Sequence, residues 1–192
     1  MHLNSQLLFR KHALHLFQPG MRVLEIGPDS HPSSFRKLLG DMDLKWETID
    51  IFNDPRLTYK TSGEYSFPIA DNTFDLVVSA QVVEHVRKTW VWIKELARVC
   101  KPGGIVLTIN PVSWGYHEAP IDCWRIYPEG MRTLHEEAGL KTELSTCESL
   151  EPFTKSAKRF VRVVTDSLIR FRAPSHGFPP IVDTISVGRK AA

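Results

Sequence analysis

Cysteine is scarce and scattered in this chain. Cys100, Cys123 and Cys147 stand alone, with none of the close pairs that thiolate metal modules or disulfide frameworks use. That usage points to a reducing compartment. No apolar run approaches the roughly 20 residues needed to cross a bilayer, and the first residues carry no signal core with a small-residue cleavage site. The expectation is a cytoplasmic protein. Charge of one sign is also missing: 24 Lys and Arg face 22 Asp and Glu, a net +2, which gives no reason to expect a nucleic-acid partner. Repeats and low-complexity stretches are absent. No histidine and acid pair shows metal-ligand spacing, so no metal is expected, although folding could still bring His85, His117 and Asp122 together. What remains is a 192-residue chain that is 42% hydrophobic, enough for one domain over 1–192 with a full core.

Periodicity divides the chain into alternating helices and strands. Leu3, Leu7, Leu14 and Phe17 share one face of a leading helix within 1–20, ended by Pro19-Gly20. The run 21–26 is nearly unbroken in apolar character, as a central parallel strand requires. Pro32 suits the first position of a short helix closed by Gly40. Strands are expected at 44–50, 57–60 and 74–79, with Asp71-Asn72 turning into the last of these. Trp90, Ile93, Leu96, Ala97 and Cys100 recur at helical spacing, and Lys101-Pro102-Gly103-Gly104 ends that helix before a strand at 105–109. Pro128 opens a helix that turns Met131, Leu134 and Ala138 inward and stops at Gly139. Strands at 140–146 and 181–187 complete the pattern, joined by an inserted helical segment at 148–180. Such alternation predicts a parallel sheet covered on both faces, ending in a hairpin that carries the insertion.

Chemistry concentrates at two strand ends. Val23-Leu24-Glu25-Ile26-Gly27-Pro28-Asp29 takes a buried strand into an acid and a glycine turn, and Trp46-Glu47-Thr48-Ile49-Asp50-Ile51 ends in a second acid. A glycine turn lets backbone approach a ligand, and a later acid can accept hydrogen bonds from a ribose diol, the minimum for holding an adenosine-containing cofactor. The glycine pattern does not match the dinucleotide fingerprint, which argues against a nucleotide-cofactor oxidoreductase.

Four segments in order make the sequence similar to a known family. They are 23–27, the acid Asp50, the stretch 67–79 continuing through Val83-Glu84-His85-Val86, and Glu95-Leu96-Ala97-Arg98-Val99-Cys100-Lys101-Pro102-Gly103-Gly104. The chain resembles the class I S-adenosylmethionine-dependent methyltransferases of the type 11 group over roughly 21–139. The resemblance implies an α/β, Rossmann-like doubly wound sheet, mostly parallel with an antiparallel final strand, and S-adenosyl-L-methionine as cofactor. It also implies roles. Glu25 would meet the cofactor's amino-acid end, Gly27 with Pro28 and Asp29 would let the turn approach it, and Asp50 would hold the ribose with Ile51 against the adenine. Gly63 and Glu64 would lie at the adenine edge, and Ser79, Ala80 and Gln81 would face the methionine moiety. Two departures stand out. Asp29 and His31 occupy positions where the family carries further glycines, and the acid that often reads the adenine amino group falls on Gly63.

Each of these residues also has a structural use: Glu25 and Asp50 can cap turns, and Gly103 with Gly104 can serve the helix-to-strand turn alone. His85 can cap a helix or face solvent as readily as act on a substrate. The segment 110–128, after the fifth strand, is rich in aromatics, histidine and acid, which suits a sugar or phenolic acceptor. His85, His117 and, third, Asp122 are the candidate bases there, with pairing of Asp122 to Arg125 the structural alternative; Trp124 is expected to be buried. Across 154–172 an apolar helical stripe carries basic neighbours. A helix packed on the domain is favoured over peripheral membrane contact. The function expected is methyl transfer to a small molecule, a hydroxyl on a sugar or other polar metabolite. The alternatives are a lipid-linked or phenolic acceptor, or a non-catalytic binding protein whose altered glycine loop no longer supports turnover.

Overall fold

The apolar run at the head of the chain forms β1 (Arg22–Ile26), buried on both faces at the middle of a seven-stranded sheet. The computed structural model describes residues 2–61, 63–118, 120–151 and 181–192. Of the inserted segment expected at 148–180, residues 152–180, with the basic stripe at 154–172, lie outside the described residues. The other strands are β2 (Lys45–Asp50), β3 (Tyr59–Lys60), β4 (Phe74–Ala80), β5 (Cys100–Pro111), β6 (Leu140–Glu148) and β7 (Asp183–Lys190). Their spatial order is β3-β2-β1-β4-β5-β7-β6. Pairing is parallel from β3 through β5, and β7 runs antiparallel between β5 and β6. This is the doubly wound α/β sheet with an antiparallel final strand.

Helices α1 (Leu3–His12), α2 (Ser34–Leu38), α3 (Thr89–Val99) and α4 (Pro128–Glu137) cover the two faces. Strand alternation divides the core accordingly. Leu24, Ile49, Val77 and Val106 pack with Ile93 and Leu96 of α3 and Met131 of α4. On the opposite face Val23, Leu76, Val78 and Leu107 pack with Leu8 and Phe9 of α1 and Phe35 of α2. Phe9 and Phe35 stack with ring centroids 4.2 Å apart. Among the described residues no helix is long and apolar enough to cross a membrane.

Four local expectations are corrected. The leading helix stops at His12 and buries Asn4, Ser5, Leu8 and Phe9, while Leu3 is exposed. Asn4 and Ser5 are drawn inward because both donate to the buried Asp183 carboxylate on β7. Pro32 is not at the first helical position: Ser33 caps α2 by accepting from the Arg36 amide. In α3 it is Trp92 that turns inward, and Trp90 faces outward. Lys101 to Gly104 form the irregular start of β5 itself, with the register shifting opposite Phe74 and Leu76. Pro128, Met131 and Leu134 behave as the pattern predicts, Ala138 packs half-buried against the same core, and His135 joins the buried face.

Candidate functional site

Strand order reverses between β1 and β4, and a ligand crevice is expected outside the carboxyl ends of the strands at such a point. A cavity of about 280 Å³ lies there. Its wall includes Gly27 and Asp29 after β1, Asp50, Ile51 and Phe52 at the end of β2, and Glu64 from the following loop. Ala80 at the end of β4, Gln81, Val82 and His85 after it, and Trp92 of α3 complete the side near the helix. The fold thus gathers eight of the sequence candidates, Gly27, Asp29, Asp50, Ile51, Glu64, Ala80, Gln81 and His85, around one space.

Local chemistry explains how they are held. Gly27 adopts φ +68°, and a Cβ there would sit 2.4 Å from Val82 Cγ2, so both backbone and space demand glycine. Its amide donates to the Ile49 carbonyl at 3.0 Å, tying the β1 turn to β2. Asp29, at a position where the family has glycine, accepts from the Ser34 amide and hydroxyl at 2.8 and 2.6 Å. His31, the other departure, stands with Nε2 3.5 Å from Asp54 Oδ2 and links this loop to the one after β2. Asp50 accepts the Phe52 amide through Oδ1 at 3.1 Å. Ile51 and Phe52 remain 43% and 57% exposed beside it, apolar surface of the kind an adenine ring would cover. Gln81 is a non-glycine residue at φ 57°, a conformation that costs energy and tends to occur at functional positions. Its side-chain nitrogen donates to Ser5 Oγ at 3.1 Å, joining the cavity to α1.

Other candidates lie away from the cavity wall. Glu25 is 2% exposed, and Trp46 Nε1 donates to its carboxylate at 2.9 Å. Burial pushes its pKa up to about 7, against the hydrogen bonds from Ser33 and Trp46. Ser79 is buried within β4, and its hydroxyl has no hydrogen-bond partner among the described residues. Pro28 and Gly63 are not among the cavity's lining residues.

The loop after β5 docks on the short 3-10 turn Val83–His85 that follows β4. Amides of Cys123 and Trp124 donate to the Glu84 carbonyl at 2.7 and 3.3 Å, and Trp124 Nε1 donates to the Val86 carbonyl at 2.8 Å. Trp124 nevertheless keeps 37% of its surface exposed, against the expectation of burial. Asp122 is engaged by Arg125 through two hydrogen bonds, at 2.6 and 2.7 Å, and by the His117 amide at 2.8 Å. Arg125 holds the Asp122 carboxyl well below the usual carboxylate range. Asp122 therefore pins the loop, the structural alternative to a base. His117 meets His85 edge to face, with ring centroids 4.9 Å apart. Sequence reasoning misses Phe52 and Val82, which line the cavity, and Glu84, whose side chain is buried beside His85. Glu84 lies within the family-like stretch quoted above, and its burial is the signal that only the fold supplies.

A family profile described as a methyltransferase domain matches residues 42–108. An uncharacterised methyltransferase of Mycobacteroides abscessus is 41% identical over 68 residues, covering 34% of this chain and 26% of that relative. The chain therefore aligns with only about a quarter of that relative's length. Among solved structures, phosphoethanolamine N-methyltransferase 2 of Haemonchus contortus, in complex with S-adenosyl-L-methionine, superposes with TM-score 0.65. The identity is 16%, over 99% of this chain and 53% of that one. The [4+2]-cyclase SpnF superposes with TM-score 0.67 at 18% identity over 98% and 80% of the two chains. At such identities the superpositions show the fold. The profile match adds a likeness to a methyltransferase domain over residues 42–108, within that fold.

Proposed function

We propose that this chain binds S-adenosyl-L-methionine in the cavity at the ends of β1, β2 and β4 and transfers its methyl group to a small polar acceptor. The observation that carries the reading is the convergence of Gly27, Asp50, Ile51 and Gln81 on one cavity at the strand-order reversal, within a chain whose residues 42–108 match a methyltransferase domain. The donor set fits the cofactor: an acid at a strand end for the ribose hydroxyls, exposed apolar side chains for the adenine, and a glycine turn beside them. Glu64 stands at the adenine edge. Bound there, the cofactor supplies a methyl group already activated on a sulfonium. Glu25, buried under Trp46, would lie beneath the cofactor's amino-acid end.

The acceptor would enter beside His85, under the loop formed by 113–127. A hydroxyl of a sugar or another polar metabolite is favoured. Tyr116, Trp124 and Tyr127 leave aromatic surface exposed around this loop, and aromatic faces with polar tips suit such molecules. His85 and His117 would promote loss of the hydroxyl proton, directly or through what they bind. The test is release of S-adenosylhomocysteine when hydroxylated small molecules are presented in turn. One class should raise it well above the rate with no acceptor, and His117→Ala should lower that rate by about two to four orders of magnitude with cofactor affinity nearly intact. A full rate in the variant would remove the imidazole from the chemistry. The cyclase neighbour shows that this fold also serves other reactions; cofactor binding without S-adenosylhomocysteine release on any acceptor would favour the non-catalytic reading.

A further inference from the structure

The side chain of Glu84 is fully buried, and neither carboxylate oxygen has a hydrogen-bond partner among the described residues. Burying an acid this way is costly unless something compensates it. The neighbouring Arg125 is already held by Asp122. What faces Glu84 instead is an imidazole: His85 Nε2 lies 3.8 Å from Glu84 Oε1. Ligand atoms from Glu84, His85 and His117 all lie within 4.8 Å of one another.

The two histidines are oriented from behind. His85 Nδ1 contacts the Ile121 carbonyl, an acceptor only, so that nitrogen carries a proton and, in the neutral ring, Nε2 holds the lone pair on the Glu84 side. His117 Nδ1 lies 3.1 Å from the Gly115 carbonyl and 3.4 Å from Asp122 Oδ2, again acceptors only, so in the neutral ring Nε2 is the nitrogen with the lone pair. An imidazole fixed by a hydrogen bond from one nitrogen to a carbonyl or carboxylate, with the other nitrogen free, is the usual arrangement of a metal-ligating histidine. Asp122, expected from the sequence as a candidate member of such a cluster, serves as the support, and Glu84 takes the place of the carboxylate ligand.

We propose that Glu84, His85 and His117 form a binding site for a divalent transition-metal ion at the edge of the cavity. Two imidazoles and one carboxylate suit ions of the zinc, iron, cobalt and nickel group rather than magnesium or calcium, which prefer all-oxygen shells. Zinc bonds of about 2.0–2.2 Å need the three donors closer together than their present limit, which modest side-chain rotation supplies. Three protein ligands leave at least one position open. Because His85 also lines the cavity, that position faces the space assigned to the acceptor, where the ion would bind an acceptor oxygen and lower its pKa. That last role rests on the methyl-transfer reading; binding of the ion does not.

The test uses the full chain with Cys123→Ser and Cys147→Ser, which removes the exposed thiols. Zinc is titrated against a chromophoric chelator without any nucleoside ligand. One equivalent should bind, and zinc should raise the melting temperature. Glu84→Gln and His117→Ala should each weaken binding at least tenfold and lose the zinc-dependent rise, while melting cooperatively in its absence. Should either variant fail to fold, cobalt added to the parent chain decides the matter: visible d–d absorption at one equivalent supports the site. No binding of either ion, or zinc affinity unchanged in both folded variants, overturns the proposal. A separate titration with S-adenosyl-L-methionine reports on the cofactor site, so failure of one reading is distinguishable from failure of the other.

Discussion

Glu25 stands at the expected strand end, with its side chain turned beneath the cavity. The strand-end acid is present where the family pattern puts it, but its carboxyl lies under the Trp46 indole and beside Ser33 rather than on the cavity wall. Its pKa rises from 4.5 to about 7 on folding, because burial disfavours the charge. A raised carboxyl pKa means that the group's contribution to stability is fully present below the unfolded value and is lost as pH rises through the folded one. The unfolding free energy of the wild type, measured relative to Glu25→Gln in urea, should therefore fall between about pH 4.5 and 7 and level off above that range. The expected fall is at most a few kcal/mol. A difference that is flat with pH would mean that Glu25 is ionised in the fold. Gly27, by contrast, was legible in full. A glycine after a buried strand signals a turn, and φ +68° with Val82 pressed against its α-carbon is the physical reason.

At the scale of elements, strands were easier to read than the faces of helices. Each expected strand appears within a few residues of its predicted place, because continuous apolar runs bounded by turns leave little choice of register. Helix α1 was misread for a reason no local pattern contains: Asp183, on the last strand, pulls Asn4 and Ser5 inward through hydrogen bonds. In α3 the two tryptophans are two positions apart, and only one can face the core. Trp92 is 2% exposed in the cluster beneath the cavity, whereas Trp90 is 46% exposed beside Trp124. Trp92→Ala should cost about 3–5 kcal/mol of unfolding free energy, the range for emptying a large buried aromatic site. Trp90→Ala should cost about 1 kcal/mol or less. Chemical denaturation of both variants checks the assignment, and equal losses would contradict it. The loop after β5 was identifiable by composition. Its docking on the turn Val83–His85 was not, because those hydrogen bonds all end on backbone carbonyls, which composition does not encode.

For the molecule as a whole, the order β3-β2-β1-β4-β5-β7-β6 decides where chemistry can occur. Parallel strands leave their carboxyl ends on one edge, and the reversal between β1 and β4 opens a point at which loops from both directions diverge. That placement brings the two acids and the glycine turn read in the sequence toward one region, then separates them: Gly27 and Asp50 reach the cavity, Glu25 stays beneath it. It also brings His117, from the loop after β5, against the adjacent pair Glu84 and His85, a juxtaposition no spacing rule anticipates. On the proposed reading, this cavity holds S-adenosyl-L-methionine with Asp50 on its ribose. Isothermal titration of the cofactor into the wild type and Asp50→Ala, each verified as folded by thermal melting, tests it most directly. The predicted result is one-to-one binding by the wild type and a loss of about 1–3 kcal/mol in the variant, the effect of removing a charged hydrogen-bonding group. No binding by the wild type, or equal affinity in the two proteins, would contradict it.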